Sequence, residues 1–162
     1  MFPPDLVQLA EDIRDGFAAR GLWLATAESC TGGLIAGCLT HVSGSSAVVD
    51  RGFVTYTNAA KTDMLGVPAS LIAELGAVND RVAEAMAAGA IAHSRANVAV
   101  AVTGIAGPTG GTATKPVGLV FIARARRGGD SVVERHIFPG DRTTVRLATV
   151  RRALQLLRES LG

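Results

Sequence analysis

The chain has 162 residues, 48% of them apolar and 4% aromatic, with a formal net charge of +2. That length supports one domain around one core, while the near-balanced charge and scarce aromatic rings exclude the basic, stacking surface that nucleic-acid binding uses. No apolar run is long enough to span a bilayer, and Met1-Phe2-Pro3-Pro4-Asp5 lacks the basic-then-apolar pattern of a secretory signal, so a cytoplasmic protein with no membrane partner is expected.

The spacing of Leu6, Leu9, Ile13 and Phe17 predicts an amphipathic helix over Asp5 to Arg20, stopped by Gly21. A short apolar strand, Leu22 to Ala25, leads into Thr26-Ala27-Glu28-Ser29-Cys30-Thr31-Gly32-Gly33, and a helix is expected from Thr31 to His41. The polar cluster therefore falls on a strand-to-helix turn, with hydroxyls close to free backbone N–H groups and two glycines that let a ligand approach the backbone. A nucleophile, an oxyanion hole, an anion site or a plain N-cap by Ser29 or Thr31 each fits such a turn.

A loop over Val42 to Ser46 precedes a strand from Val48 to Tyr56. Short helices are expected over Asn58 to Leu65, carrying Lys61, and from Pro68 to Leu75. Asn79 or Asp80 caps a helix running to Arg95, with Val82, Met86 and Ala90 on its apolar face and Ile91 at its margin. Asn97 to Thr103 is almost wholly apolar and reads as a central strand buried on both faces. It ends in Thr103-Gly104-Ile105-Ala106-Gly107-Pro108-Thr109-Gly110-Gly111-Thr112, a glycine-rich stretch placed where open α/β sheets hold ligands. Its spacing is neither the dinucleotide fingerprint nor the P-loop, and a mobile surface loop has the same composition.

Val117 to Arg124 and Ser131 to Phe138 form a hairpin, which makes the sheet mixed. The last helix runs from Arg142 to Leu161, capped by Asp141. Leu147, Val150, Leu154, Leu157 and Leu161 form its buried stripe, and Arg142 and Arg146 lie one turn apart at its start. Those two arginines either face one anion or form a solvated basic face. The two cysteines, Cys30 and Cys38, have neither disulfide-framework nor zinc-site spacing. Lys61 and Lys115 are the only lysines in an arginine-biased chain, and a lysine, unlike an arginine, can lose its proton.

Five segments in one order then coincide with a known pattern: Ala27-Glu28-Ser29-Cys30-Thr31-Gly32-Gly33, Tyr56-Thr57-Asn58-Ala59-Ala60-Lys61, Thr103-Gly104-Ile105-Ala106-Gly107-Pro108, Lys115-Pro116-Val117-Gly118 and Gly140-Asp141-Arg142. Together they resemble the CinA carboxy-terminal domain family, the nicotinamide-nucleotide amidohydrolases. The resemblance covers nearly the whole chain. It implies a single domain with a three-layer α/β/α fold and a mostly parallel, mixed sheet, in a stand-alone form without the larger amino-terminal domain of some relatives. It also implies hydrolysis of the carboxamide of nicotinamide mononucleotide to nicotinate mononucleotide and ammonia, which return to the pyridine-nucleotide cycle.

Carried onto this sequence, the family pattern implies Ser29 as nucleophile, with Lys61, Tyr56 and Thr103 as catalytic partners. Substrate-binding positions are expected at Cys30, Thr31, Gly32 and Gly33, at Gly104, Gly107, Gly110 and Gly111, and at Arg142 and Arg146. The backbone of Thr31 to Gly33 suits the oxyanion. The phosphate suits either the 104–112 loop or an arginine. Asn79, Thr109 and Thr114 depart from the family pattern and bear on substrate preference.

No histidine falls in the polar loops, which disfavours a serine–histidine–aspartate triad and leaves a serine–lysine pair. A free lysine titrates near 10.4, so well under ~0.1% is neutral at pH 7. The pair therefore requires a buried Lys61 close to Ser29. No metal or other cofactor is implied. The expected partners are a small nucleotide substrate and further copies of the chain in a homo-oligomer, not nucleic acid. The rival readings are a non-catalytic pyridine-nucleotide binding module, a competence- or damage-related protein, and an amidohydrolase for a different substrate.

Overall fold

Alternation of side-chain size along the strands sets the architecture. In β3 (Val98–Gly104), Val98, Val100 and Val102 turn to one face and Ala99 and Ala101 to the other. β4 (Leu119–Arg126) repeats this with Val120 and Ile122 against Ala123 and Ala125, and β1 (Leu24–Glu28) with Leu24 against Ala25 and Ala27. The branched face packs with α1 (Pro4–Ala19), α2 (Leu34–His41) and α6 (Arg142–Glu159) into one core. The alanine face packs with α3 (Asn58–Leu65), α4 (Ala69–Leu75) and α5 (Asp80–Ala92) into a second. Each fully buried Val, Leu or Ile contributes about 1.5–3 kcal/mol, while the alanines let α5 lie close to the sheet.

The computed structural model describes residues 1–162. With β2 (Val49–Val54) and β5 (Ser131–Ile137) the strands form one mixed sheet in the order β2-β1-β3-β4-β5. β1 pairs in parallel with β2 and β3, β4 is antiparallel to both its neighbours, and so β4 alone opposes the other four. This is the single α/β domain expected from the sequence. No helix is long and apolar enough to cross a membrane.

The chain leaves β1 toward α2 on one face and leaves β2 toward α3 on the other. That divergence opens a crevice at the carboxyl ends of the parallel strands, where α/β sheets hold ligands. Gly89 then fixes how deeply α3 sits. A Cβ there would lie 2.1 Å from the Leu65 carbonyl oxygen, so only glycine admits this approach of α3 to α5.

Several boundaries differ from the sequence reading. β1 starts two residues late and continues through Thr26 to Glu28, because both polar side chains are fully buried with partners of their own. α2 begins at Leu34 rather than Thr31, since Gly32 and Gly33 hold φ of +59° and +100° and cannot belong to its first turn. β2 ends at Val54, and α5 ends at Ala92 rather than Arg95. On α6 the buried stripe is Val145, Thr149, Val150, Ala153, Leu154, Leu156 and Leu157, with Leu147 and Leu161 only partly covered.

Candidate active site

Ser29 follows β1 directly, and its N–H donates to the Val102 carbonyl of β3 at 3.1 Å. The Gly32 N–H returns to the Ser29 carbonyl at 3.0 Å and closes a tight turn. Both glycines of that turn adopt positive φ, which is why the sequence has glycine there. The N–H groups of Cys30, Thr31 and Gly33 meet no acceptor within the chain.

The first N–H groups of α2 are closed to an outside anion. Glu28, fully buried, accepts from Ile35 N at 2.8 Å, Ala36 N at 2.9 Å, Thr31 Oγ1 at 2.7 Å and Thr26 Oγ1 at 3.3 Å. A carboxylate of the chain itself thus occupies the position where a helix N-terminus would receive a ligand.

Lys61 projects from the first turns of α3 and is 1% exposed. Its Nζ lies 3.0 Å from Ser29 Oγ and 2.9 Å from the Thr55 carbonyl oxygen, and these are its only hydrogen-bond partners. Burial without a carboxylate partner lowers the Lys61 pKa from the ordinary lysine value, with the Cys30 sulfur as the opposing influence. That opposition needs a thiolate, and burial pushes the Cys30 thiol up to about 12, so it stays protonated near neutrality. The same shift leaves the Cys30 thiol a poor nucleophile.

Ser29, Cys30, Tyr56, Asn58, Lys61, Ala77, Val78, Thr103, Gly104, Ala106 and Arg142 line one cleft of about 210 Å³. The Thr103 hydroxyl donates to the Ala77 carbonyl at 2.9 Å and so fastens the 76–78 linker over the cleft. Tyr56 is 60% exposed and contributes a wall; its phenol oxygen accepts from Arg142 Nη2 at 3.1 Å, not from Lys61. Arg142 also donates from Nη1 to the Gly107 carbonyl at 2.9 Å. A larger groove of about 400 Å³ between α3 and α4 shares Asn58 with the cleft but touches none of Ser29, Lys61 or Arg142.

Of the binding positions expected from the sequence, the cleft gathers Cys30, Gly104 and Arg142. Thr31, Gly32, Gly33, Gly107, Gly110 and Gly111 are not on its wall. Gly107 acts through its carbonyl, whereas Gly110 and Gly111 stand in the exposed tip of the loop. Arg146 is turned elsewhere: Nε donates to the Cys30 carbonyl at 3.0 Å and Nη2 to the Thr31 carbonyl at 3.1 Å. Asn79 caps α5 through the Arg81 N–H, and Thr109 and Thr114 are exposed. Sequence reasoning missed Asn58, Ala77 and Val78 and, within the 104–112 loop, named the glycines but not Ala106. Asn58 lies within the motif that carries Lys61, and Ala77 and Val78 carry no polar signal.

A family model described as the CinA C-terminal domain matches residues 6–161. The chain is 46% identical over 157 residues to the nicotinamide-nucleotide amidohydrolase PncC of Escherichia coli (strain K12), covering 97% of this chain and 95% of that one. It is 50% identical over 161 residues to a CinA-like protein of Mycolicibacterium vanbaalenii, covering 99% of this chain but 38% of that longer one. Among solved structures, the competence/damage inducible protein CihA from Agrobacterium tumefaciens superposes with a TM-score of 0.97 at 56% identity, over 99% of this chain and 98% of that one. A CinA superfamily protein from Escherichia coli superposes with a TM-score of 0.91 at 36% identity, over 98% and 94% of the two chains. With the model match and the whole-length likeness in agreement, the chain belongs to the CinA C-terminal domain family.

Proposed function

We propose that this chain hydrolyses the carboxamide of nicotinamide mononucleotide, giving nicotinate mononucleotide and ammonia, with Ser29 as nucleophile and Lys61 as base. The observation that carries the reading is the buried Lys61 amine 3.0 Å from Ser29 Oγ with no carboxylate to hold its proton. The 46% identity to an amidohydrolase of this name over nearly the full length of both chains supports the substrate.

In the neutral state the Lys61 lone pair accepts the Ser29 hydroxyl proton as Oγ attacks the carboxamide carbon. The Thr55 carbonyl keeps the amine aimed. The unpaired N–H of Cys30, the turn residue beside Ser29 on the cleft wall, receives the oxyanion. Lys61 then passes its proton to the amide nitrogen, and ammonia leaves. Water attacks the acyl-serine, giving one proton to Lys61, which returns it to Ser29 as the nicotinate product departs. Arg142 is the guanidinium on the cleft wall and takes the substrate phosphate. Tyr56 positions Arg142, and Thr103 shapes the cleft through the 76–78 linker.

The test is ammonia release from nicotinamide mononucleotide measured beside nicotinamide, NAD and glutamine. Release is expected from the mononucleotide, and Ser29→Ala is expected to lower it by about 10⁴-fold or more. A Ser29→Ala protein that deamidates at the normal rate removes Ser29 from the reaction. Binding of the mononucleotide by the unsubstituted chain without ammonia release makes it a binding module instead.

A further inference from the structure

We infer that Arg146 is a positioning residue for the Ser29 turn rather than a substrate ligand, an inference that rests on Ser29 being the nucleophile. Arg146 comes from α6, more than a hundred residues along the chain, and its guanidinium forks onto two successive carbonyls, Cys30 at 3.0 Å and Thr31 at 3.1 Å. Those carbonyls belong to the two central residues of the turn that the Gly32 N–H closes onto Ser29. The Cys30 carbonyl has no N–H of the chain's backbone to accept from, and Thr31 has only Leu34 N at 3.1 Å. Arg146 supplies what the turn lacks.

The consequence for chemistry follows from the planarity of the peptide group. The Cys30 carbonyl and the Thr31 N–H share one trans peptide, so they point in opposite directions. Fixing that carbonyl fixes the N–H and with it the path of the backbone through the buried Thr31. The Thr31 carbonyl and the Gly32 N–H share the next peptide, and that N–H closes the turn on Ser29. Arg146 therefore holds the bond that closes the turn on the Ser29 carbonyl, and the peptide of that carbonyl carries the Cys30 N–H, the turn's unpaired donor on the cleft wall. Glu28 grips the same turn from the other side through Thr31 Oγ1 and the first N–H groups of α2. The fit is close: a Cβ on Gly32 would lie 3.4 Å from Arg146 Nη2.

Donors aimed at an oxyanion act in the transition state and contribute little to substrate binding. Replacing Arg146 is thus expected to lower kcat while leaving KM nearly unchanged. In Arg146→Gln, kcat for ammonia release from nicotinamide mononucleotide should fall about 10- to 100-fold with KM within about 2-fold. Arg146→Lys, whose single ammonium reaches one carbonyl at a time, should recover part of the loss.

A second readout needs no substrate. A fluorophosphonate forms a bond from Ser29 Oγ to phosphorus and expels fluoride, and the serine proton passes to Lys61. Mass spectrometry of the labelled serine should show about 10-fold slower labelling in Arg146→Gln. A rise in KM at constant kcat makes Arg146 a substrate ligand and overturns the inference. So does an unchanged rate in both assays, or a failure of both variants to fold, which would make the residue purely structural. Serine labelling without ammonia release in the unsubstituted protein defeats the choice of substrate and leaves the labelling rates to decide Arg146. Absence of both defeats the Ser29–Lys61 reading and this inference with it.

Discussion

The turn after β1 and the loop after β3 are both rich in glycine and hydroxyl side chains, and both follow a buried parallel strand. Their surroundings differ. In the first, Glu28 and Thr31 are fully buried, Ser29 is 9% exposed, and the backbone is gripped by a carboxylate on one side and a guanidinium on the other. In the second, the base is tied by Ile105 to Leu119 and by Gly118 to Ile105, but Pro108 to Thr114 lies in solvent. Only Gly104 and Ala106 of that stretch after Thr103 reach the cleft. Glycine content marks an unusual backbone path. Reactive geometry follows the buried polar side chains, whose partners arrive from distant parts of the chain.

The largest effect that tests this contrast is at Lys61. Lys61→Met keeps an unbranched side chain one atom shorter and removes the amine, and turnover is expected to fall by about 10²–10⁴-fold. The unsubstituted protein should gain kcat/KM as pH rises through a pKa that burial holds below the usual lysine value. The stability consequence has a definite sign. The unfolded chain keeps its lysine proton to higher pH than the folded one, so folding becomes more favourable as pH rises between the lowered value and the ordinary one. Thermal midpoints measured across that window should climb more steeply in the unsubstituted protein than in Lys61→Met. Parallel curves would mean that Lys61 is not desolvated.

Much of this was legible in the sequence. The valine–alanine run of β3 marks a strand buried on both faces, and four of the five quoted segments supply residues of the cleft, while Lys115-Pro116-Val117-Gly118 does not. The sequence places the Ser29 cluster on a strand-to-helix turn that suits a nucleophile, an oxyanion hole, an anion site or a plain N-cap alike, and it puts Glu28 in that turn rather than at the end of β1. Nothing local marks Glu28 as buried: its acceptors' partners lie three, seven and eight residues onward, the reverse of the usual capping-box order. Spacing alone pairs Arg146 with Arg142, on one anion or on a solvated basic face, because residues four apart share a helix face. That spacing places two side chains on one side of a helix but not at one depth. Arg142 ends at the cleft, whereas Arg146 ends on backbone carbonyls beneath it.

Glu28 gives the next effect in size. Glu28→Gln keeps the shape but replaces one acceptor oxygen by a donor, which then faces either Thr26 and Ala36 or Thr31 and Ile35. A loss of about 1–3 kcal/mol is expected from the donors left without an acceptor, read as a lower denaturant midpoint. Amide exchange should accelerate at Ile35 and Ala36 before the rest of α2. Uniform exchange along α2 would show that the carboxylate does not anchor its start.

The smallest effects compare the two turns directly. Gly32 holds φ of +59° and Gly110 φ of +91°, so an alanine at either position strains the backbone by about 1–2 kcal/mol, and each thermal midpoint should fall by a few degrees. The sites differ in what the new Cβ meets: Arg146 Nη2 at 3.4 Å for Gly32, and Ile105 Cγ2 at 3.6 Å for Gly110. Gly32→Ala presses on Arg146, which holds the carbonyls of the Ser29 turn, and its kcat should drop several-fold. Gly110→Ala strains a tip that stands away from the cleft, and its kcat and KM should match those of the unsubstituted protein. A higher KM in Gly110→Ala would bring the loop tip onto the substrate and restore the binding role that its glycines suggest, because strain in a solvated tip has no other route to the cleft than through a ligand that touches it.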